Sequence, residues 1–350
     1  MAESQFHQWV RDVGIVEARR LATTPKMLRE VNAAYEVLSD VGGDMNFVHA
    51  GFAMSSIPHR ETKELIWERE SGAGSKLRLE SGKDKDQNDV GLPYGLIARY
   101  ELLFLQTMAT KTRSREVQLG DSMYNWLRAM GITPGGKTYN IIREQSRRIS
   151  FCRLDFFQAD SRYEGFRRGG FVRDAIMPIG EREGNEVALW RDVVYLDEVF
   201  FESLMQHSLP LSEAGVRACG PSSVALDVYI WLAYRLHCLK RPTPISWAAL
   251  QAQFGPHYSR PSSFKTEFVN PLTNALRAYP EARVEVEKTG VILYPSKPPV
   301  EPRTMVSVPS LTYQTARLRL TRSKLAENPG QDSLFPEEVS ENKAPKAKAP

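Results

Sequence analysis

The chain has 350 residues, 42% of them hydrophobic, and a formal net charge of +4. This length favours two domains, and the hydrophobic content is typical of a water-soluble globular protein. No apolar run is long enough to cross a bilayer, and the N-terminus lacks the layout of a signal peptide, so we expect a cytoplasmic protein without membrane contact. The mild positive charge permits an anionic partner without requiring one.

The cysteines and histidines show no pattern typical of an enzyme or a metal site. Cys152, Cys219 and Cys238 lack close pairing and have no His at zinc spacing nearby, so we predict buried structural thiols. The six His residues are scattered, and no carboxylate pair or Ser-His-Asp set stands out. We therefore expect a protein without enzymatic activity, cofactor or metal.

Residues 1–90 contain no chemical motif, and we assign them to a peripheral N-terminal region with a linker. Residues 22–38 place apolar side chains at three-and-four spacing, which predicts a helix. Residues 47–57 are apolar and form either a strand or a docked segment. Residues 71–88 are rich in Gly and charge, which predicts a flexible link.

A helix-turn-helix pattern follows a long predicted helix over residues 92–110. Residues 119–130 have a helical apolar period, and residues 131–136 break it with Gly and Pro. The period then returns with Ile142, Ile149 and Cys152 on one face. Asn140, Arg143 and Arg147 point the other way, with Arg148 on the flank. Two short helices joined by a Gly-rich turn, the second basic on its exposed face, are typical of a helix that reads DNA.

The same stretch also matches a nucleotide-binding motif. Residues 131–138 fit the phosphate-cradling pattern G-x-x-x-x-G-K-[ST], and residues 193–198 resemble an acidic magnesium-binding strand. A phosphate-cradling loop needs a buried strand before it and a helix N-terminus after it. Residues 121–130 are instead helical in period, so the context disfavours this interpretation. A P-loop ATPase of partition or helicase-loading type stays as an alternative.

A predicted hairpin completes the first domain, which we place at residues 91–210. Residues 154–159 and 170–179 are rich in aromatic and branched side chains, and a Gly-Arg-Arg-type turn separates them. We expect Arg167 and Arg168 at the tip of this hairpin. Three helices followed by a hairpin are the order of a winged helix, closed here by a strand and helix over residues 193–207.

The second half, residues 211–297, repeats this order. It has predicted helices at residues 224–240, 246–254 and 262–279, followed by a hairpin of residues 282–286 and 291–294. Pro271 should kink or interrupt the third helix after Asn270. The predicted fold class is therefore α+β, mainly helical, with two tandem winged-helix domains.

The candidate DNA contacts lie on the third helix and hairpin of each half. Arg side chains bind phosphates or the O6 and N7 acceptors of guanine, Asn side chains (Asn274 included) address adenine, and hairpin tips suit backbone or minor-groove contact. For each residue the alternative is an ordinary solvated or ion-paired surface side chain. The candidates are Lys137, Thr138, Asn140, Arg143, Arg147, Arg148, Arg167, Arg168, Ser263, Lys265, Thr266, Asn270, Arg277 and Lys288.

Residues 298–350 are Pro-rich, basic and poor in hydrophobic side chains, which predicts a disordered tail. The apolar pair Leu334 and Phe335 has no core to join within such a tail. We therefore expect it to bind in a partner's pocket. The alternative is that it folds back onto the protein's own surface.

Several short motifs in order resemble the RepA-type plasmid replication initiators of Gram-negative bacteria. They are Leu92-Pro-Tyr-Gly, the link at residues 111–121, Gly135-Gly-Lys137 and Arg143-Glu-Gln-Ser-Arg-Arg148, and the similarity extends to Tyr294. The resemblance implies two winged helices that bind repeated sequences at a plasmid origin and help to open the duplex. It also implies recruitment of the host initiator DnaA and the replicative helicase, and repression of the initiator's own gene as a homodimer.

The tail is similar to a second known motif. Gln331-Asp-Ser-Leu-Phe335 looks like the pentapeptide by which bacterial proteins bind the β sliding clamp of the replicative polymerase. Asp332 departs from the usual apolar second residue, whereas Gln331, Leu334 and Phe335 match. The leading hypothesis is thus an origin-binding initiator that recruits the clamp. A winged-helix transcriptional repressor is the alternative in the same class, and it would have no use for this pentapeptide.

Overall fold

The computed structural model describes residues 5–40, 43–70, 75–119, 135–159, 164–175, 193–256 and 258–300, with residues 128 and 132 in isolation. All of them belong to one compact unit, residues 1–301. The predicted helix and turn at residues 120–134 therefore lie almost wholly outside the described residues. The tail from residue 301 and its pentapeptide lie outside them as well.

The first helices form a hairpin with a small core of its own. α1 (Gln5–Leu21) packs against α2 (Pro25–Ser39), and Val10, Ala18, Val31 and Ala34 are buried between them. α2 begins after Thr24, whose hydroxyl accepts a hydrogen bond from the backbone N–H of Met27. The helix predicted at residues 22–38 is confirmed to within a few residues.

Residues 45–57 supply both a strand and a short helix to the core. β1 (Met45–His49) pairs antiparallel with β9 (Ser208–Ser212), and α3 (Gly51–Met54) follows directly. Phe47, Val48 and Ile57 are buried. The N-terminal region therefore contributes to the core here, more than the peripheral position predicted for it.

The predicted flexible link at residues 71–88 is wrong, because residues 75–80 form a strand. β2 (Ile66–Glu70), β3 (Ser75–Glu80), β5 (Arg153–Ala159) and β6 (Glu164–Gly170) make an antiparallel sheet in the order β2-β3-β5-β6. Leu77 and Leu79 alternate with charged neighbours and are fully buried, at 1% and 0% exposure. This alternation is the strand signal that the surrounding polar residues concealed.

The hairpin predicted as the first wing belongs to this four-stranded sheet, so that assignment is also wrong. Arg167 lies opposite Phe156 and Arg168 opposite Asp155, within paired strands and away from any tip. Gly165 before the arginines and Gly169 and Gly170 after them suggested a turn. Residues 164–170 are nevertheless extended, because β5 provides backbone partners along their whole length.

The first winged helix is built from elements on either side of that hairpin. Its helices are α4 (Gly95–Thr112) and α5 (Gly136–Phe151), and its strands are β4 (Glu116–Gln118), β7 (Val172–Ala175) and β8 (Val193–Leu196). The strand order is β4-β8-β7, all antiparallel. The helix α6 (Glu198–Gln206) closes the unit, as predicted. Residues 176–192, between the wing strands, lie outside the described residues.

The second winged helix has the same topology. After α7 (Glu213–Ala218) come α8 (Ser223–Arg235), β10 (Thr243–Ser246), α9 (Trp247–Phe254), α10 (Pro261–Ala278), β11 (Val284–Val286) and β12 (Gly290–Leu293). The strand order β10-β12-β11 matches that of the first unit. The predicted α+β fold with two tandem winged helices is therefore confirmed.

Two local predictions need correction. α10 runs through Pro271 without interruption, because its apolar face continues on both sides of the proline, through Phe268 and Leu272. Cys152 and Cys219 are buried as predicted, but Cys238 is exposed, since it follows the end of α8.

Two further observations concern the part of the chain that the structure describes. None of its helices is long and apolar enough to cross a membrane. It also contains no group of three His, Cys, Asp or Glu side chains that could hold a metal ion.

Candidate nucleic-acid interface

The helix α5 of the first winged helix exposes polar side chains near its start. Ile142 and Ile149 are buried, as their spacing predicts, so the opposite face points outward. Lys137 and Asn140 are exposed, and Thr138 and Arg143 are half-buried. The free backbone N–H groups of the first helical turn lie at Gly136 to Thr138, where they add positive potential.

Arg147 is held at the surface by an acidic turn. Its Nη2 donates to Asp84 Oδ2 at 2.8 Å, and the side chain remains 42% exposed. Asp84 Oδ1 accepts hydrogen bonds from the backbone N–H groups of Asn88 and Asp86. The hydrogen bond from Asn88, with smaller contributions from Asp86 and Arg147, lowers the pKa of Asp84. The carboxylate therefore stays ionised and orients the guanidinium.

Arg148 makes structural contacts, and its assignment as a DNA contact stays a prediction. Its Nε donates to Glu144, its Nη2 to Glu61, both at 2.7 Å, and its Nη1 to the carbonyl of Leu92 at 3.1 Å. The side chain is only 11% exposed. Arg148 thus attaches α5 to the start of the preceding helix and to the N-terminal region.

Arg167 and Arg168 lie on the four-stranded sheet and not on a wing. Arg168 is exposed, with its Nε 3.2 Å from Asp155 Oδ1. The side chain of Arg167 lies outside the described residues. The structure therefore does not bring these two residues together with the exposed face of α5 in the manner of a wing.

The second winged helix exposes a different kind of surface. Ser263, Thr266 and Asn270 are exposed at three-and-four spacing along α10. Lys288 is exposed in the turn between β11 and β12, as predicted for a wing tip. Lys265 lies between them, with its Nζ 5.1 Å from the ring centroid of Trp247.

Trp247 positions the hairpin of β11 and β12, and Trp247 was not among the site residues predicted from the sequence. Its indole Nε1 donates to the carbonyls of Glu287 at 3.3 Å and Lys288 at 3.1 Å. Its backbone N–H donates to the carbonyl of Thr289. A Trp at the first position of a helix after a short strand was the available signal, although its contact with the wing is not local in sequence.

Arg277 also makes structural contacts, and its assignment as a DNA contact stays a prediction. It forms an ion pair with Glu30 of α2 and donates to the carbonyl of Ala218 and to Asn274 Oδ1. Its side chain is 12% exposed, and burial lowers its pKa. Arg277 and Asn274 therefore hold the N-terminal hairpin against the second winged helix.

The nucleotide-binding motif lies in an unfavourable setting among the described residues. Lys137 and Thr138 occupy the first turn of α5, but the upstream strand β4 pairs antiparallel with β8. Asp197, the predicted magnesium ligand, caps α6 by accepting a hydrogen bond from the backbone N–H of Phe200. Its carboxylate therefore already has a structural role.

A family model described as plasmid encoded RepA protein matches residues 92–248. The matched residues make up less than half of the chain, so the match shows a resemblance to this family over residues 92–248. The match covers the first winged helix and the second as far as the start of α9, so the resemblance predicted from the motifs is confirmed over this range. Its predicted extension to Tyr294 stays a prediction.

No curated protein matches the chain in sequence. Among solved structures, the chain is similar to domains 2 and 3 of RctB. One such structure has a TM-score of 0.46 and 15% identity, covering 72% of this chain and 99% of the other. A second has a TM-score of 0.44 and 13% identity, covering 69% and 94%.

Proposed function

We propose that this protein is a plasmid replication initiator that binds origin repeats in double-stranded DNA through two winged helices. The observation that carries the proposal is the pair of helices α5 and α10. Each lies at the position of a recognition helix in the same three-stranded topology, and each exposes polar side chains near its start.

In the first winged helix the proposed contacts are Lys137, Thr138, Asn140, Arg143 and Arg147. Lys137 and Thr138 lie in the first turn, where backbone N–H groups favour a phosphate. Asn140 can bind an adenine edge, and Arg147 a guanine or a phosphate.

In the second winged helix they are Ser263, Lys265, Thr266, Asn270 and Lys288. The neutral side chains of α10 suit hydrogen bonds to base edges, and Lys288 suits a phosphate beside the wing. Arg167 and Arg168 remain candidates only for backbone contact beside these surfaces.

The partners of the initiator follow from its resemblance. We propose that Gln331, Leu334 and Phe335 bind the β sliding clamp, and that the protein recruits host DnaA and the replicative helicase in the cytoplasm. The occurrence of an apolar pair within a polar, basic stretch of the sequence supports the clamp assignment. Changing Leu334 and Phe335 to Ala should abolish capture by immobilised clamp and leave DNA binding intact, and retained capture would refute it.

Footprinting tests the proposal directly. The purified chain should protect repeats in a plasmid-origin fragment, and binding should weaken steeply as salt is added because phosphate contacts release counterions. Protection confined to a promoter would support the winged-helix repressor instead. Absence of protection on any plasmid fragment would refute both.

The motif at residues 131–138 keeps the P-loop ATPase as a second candidate. ATP hydrolysis that is lost in Lys137→Ala would support it. For a non-enzymatic initiator we expect no hydrolysis by either protein, together with weaker DNA binding by the variant.

A further inference from the structure

We propose that Arg99 and Asp227 form a buried latch that fixes the angle between the two winged helices. If the proposed function holds, the latch also sets the spacing at which the two recognition helices meet one DNA site. Arg99 belongs to α4 of the first winged helix, and Asp227 to α8 of the second. The pair therefore connects the two units directly.

The contact between the two side chains is bidentate. Arg99 Nε donates to Asp227 Oδ1 and Arg99 Nη2 to Asp227 Oδ2, both at 2.7 Å. The side chains are 6% and 7% exposed. Two parallel N–H···O bonds define both a distance and an orientation, which a single charge contact does not.

The remaining donors of Arg99 are satisfied by backbone carbonyls. Nη1 donates to Pro58 at 3.1 Å and to Gly95 at 2.8 Å, and Nη2 also donates to Ile57 at 2.7 Å. Gly95 begins α4 itself, whereas Ile57 and Pro58 belong to the N-terminal region, so carbonyls from both segments hold the guanidinium independently of Asp227. Burying two charges is costly unless they are fully hydrogen-bonded, and this arrangement meets that condition.

A histidine from the N-terminal region joins the same junction. His59 Nδ1 lies 3.1 Å from Arg99 Nη2 and 3.1 Å from the hydroxyl of Ser223, at the start of α8. His59 Nε2 lies 3.6 Å from Asp227 Oδ2. The loop at residues 57–59 therefore reinforces the contact from a third direction.

Apolar packing around the latch would not fix this angle as tightly. Leu103 of α4 packs in the core of the second winged helix, but apolar contacts have no preferred direction. A cavity of about 30 Å³ lies beside the pair, lined in part by Leu102, Leu226 and Ile230. The latch is the bidentate, charge-assisted contact at this junction, so it favours one of several apolar arrangements.

The angle can be measured without DNA. Cys238 is an exposed natural thiol in the second winged helix, and Gln118 is exposed in β4 of the first. Burial raises the pKa of Cys152 and of Cys219, so neither should react with a label. Gln118→Cys therefore gives a full-length chain with two spin labels, whose distance distribution reports the angle.

The test compares this labelled protein with an Arg99→Met/Asp227→Leu variant. Replacing both charges with apolar side chains of similar size leaves no buried unpaired charge, so the variant should fold. We expect one narrow distance distribution for the parent and a distribution at least about twice as wide for the variant. An unchanged narrow distribution would overturn the latch. If the double variant does not fold, Arg99→Lys replaces it in the test. This change keeps the positive charge but removes the bidentate geometry of the guanidinium, so it should broaden the distance distribution. An unchanged distance distribution would again overturn the latch.

A matched control removes another buried ion pair. Glu30→Leu/Arg277→Met removes the ion pair between the N-terminal hairpin and the second winged helix. It leaves the contact between Arg99 and Asp227 unchanged. Its distance distribution should equal that of the parent. Equal broadening in this variant would show a general loss of rigidity and would overturn the specific role of Arg99 and Asp227.

DNA then tests the consequence for binding. In a repeat that the protein protects, one half of the site is contacted by α5 and the other by α10. Inserting two base pairs between these halves should weaken binding of the parent protein by at least about tenfold. The latch variant should lose most of this discrimination, and full retention would overturn the role in spacing. If the parent binds no DNA, the proposed function fails, whereas the distance measurement still decides the latch.

Discussion

The two winged helices share one topology and present different chemistry to the surface. In the first, arginines dominate α5, and acidic residues from the N-terminal region engage two of them, Arg147 and Arg148. In the second, Ser263, Thr266 and Asn270 of α10 are exposed and neutral, Glu267 is exposed and acidic, and the positive charge lies at Lys265 and at Lys288 in the wing turn. The same scaffold therefore presents basic side chains in one unit and mostly neutral polar side chains in the other.

This difference shows which part of a winged helix the fold determines. Topology fixes the position of the recognition helix, because its apolar face must cover the sheet and the neighbouring helices. The outward face is free to vary, so its chemistry depends on which side chains from elsewhere reach it. Substitutions at buried positions should therefore change stability, and substitutions on the outward face should change DNA binding.

Trp247→Ala should destabilise the protein by about 3–5 kcal/mol, because it removes a large buried side chain and two hydrogen bonds to the wing. Thermal unfolding measures the change. Lys288→Ala, at the exposed tip of the same wing, is the control and should leave stability unchanged. A small effect of the Trp247 change would mean that the second wing holds its shape without this contact.

Arg148→Ala and Arg147→Ala should separate stability from DNA binding within one helix. The Arg148 change should cost about 2 kcal/mol of stability, since it breaks charged hydrogen bonds to Glu144 and Glu61. The Arg147 change should weaken specific DNA binding by about 1–3 kcal/mol if it reads a base. Chemical unfolding measures the change in stability, and a binding titration measures the change in DNA affinity. Equal effects of both changes on stability alone would contradict the assignment.

Asp84→Asn should make DNA binding less selective. Without the carboxylate, Arg147 loses its orienting partner, and the surface gains one uncompensated positive charge. We expect tighter non-specific binding, with a salt slope steeper by about one, and a smaller preference for the specific site. Titrations on specific and random duplexes at several salt concentrations measure both. Loss of binding to both duplexes would instead show that Asp84 is needed for the fold.

Glu101→Gln should change only the pH dependence of stability. Glu101 is buried beneath α5, where Oε2 accepts a hydrogen bond from the hydroxyl of Ser146. Burial raises the pKa of its carboxyl well above the ordinary value of 4.5. The folded state therefore binds this proton more tightly than the unfolded state, and stability falls as pH rises above 4.5 through the raised pKa.

Urea unfolding at a series of pH values should show this decline in the parent and a flatter profile in the variant. Among the described residues, the carboxylate of Glu101 in the first winged helix accepts a hydrogen bond from a hydroxyl, whereas that of Asp227 in the second pairs with an arginine. An identical pH profile in the variant would show that Glu101 does not carry the dependence.

The sequence by itself determined the elements whose signals are local. The buried faces of α5 and α10, the second wing with Lys288 at its turn, and the order of the second winged helix follow from apolar spacing and turn residues. The short motifs of residues 92–148 were sufficient to predict the resemblance to RepA that the family model finds over residues 92–248. These features were predictable because neighbours within a few residues along the chain set the period of a helix or strand.

Only the tertiary structure decided the strand at residues 75–80, the sheet position of Arg167 and Arg168, and the structural roles of Arg148 and Arg277. Each depends on a partner far away in sequence: β5 for the strands, Glu61 for Arg148 and Glu30 for Arg277. An exposed arginine and an ion-paired one look the same in a helical pattern. The ion-pair partner that distinguishes the two kinds of arginine comes from a segment far away in sequence, so it is present only in the folded structure.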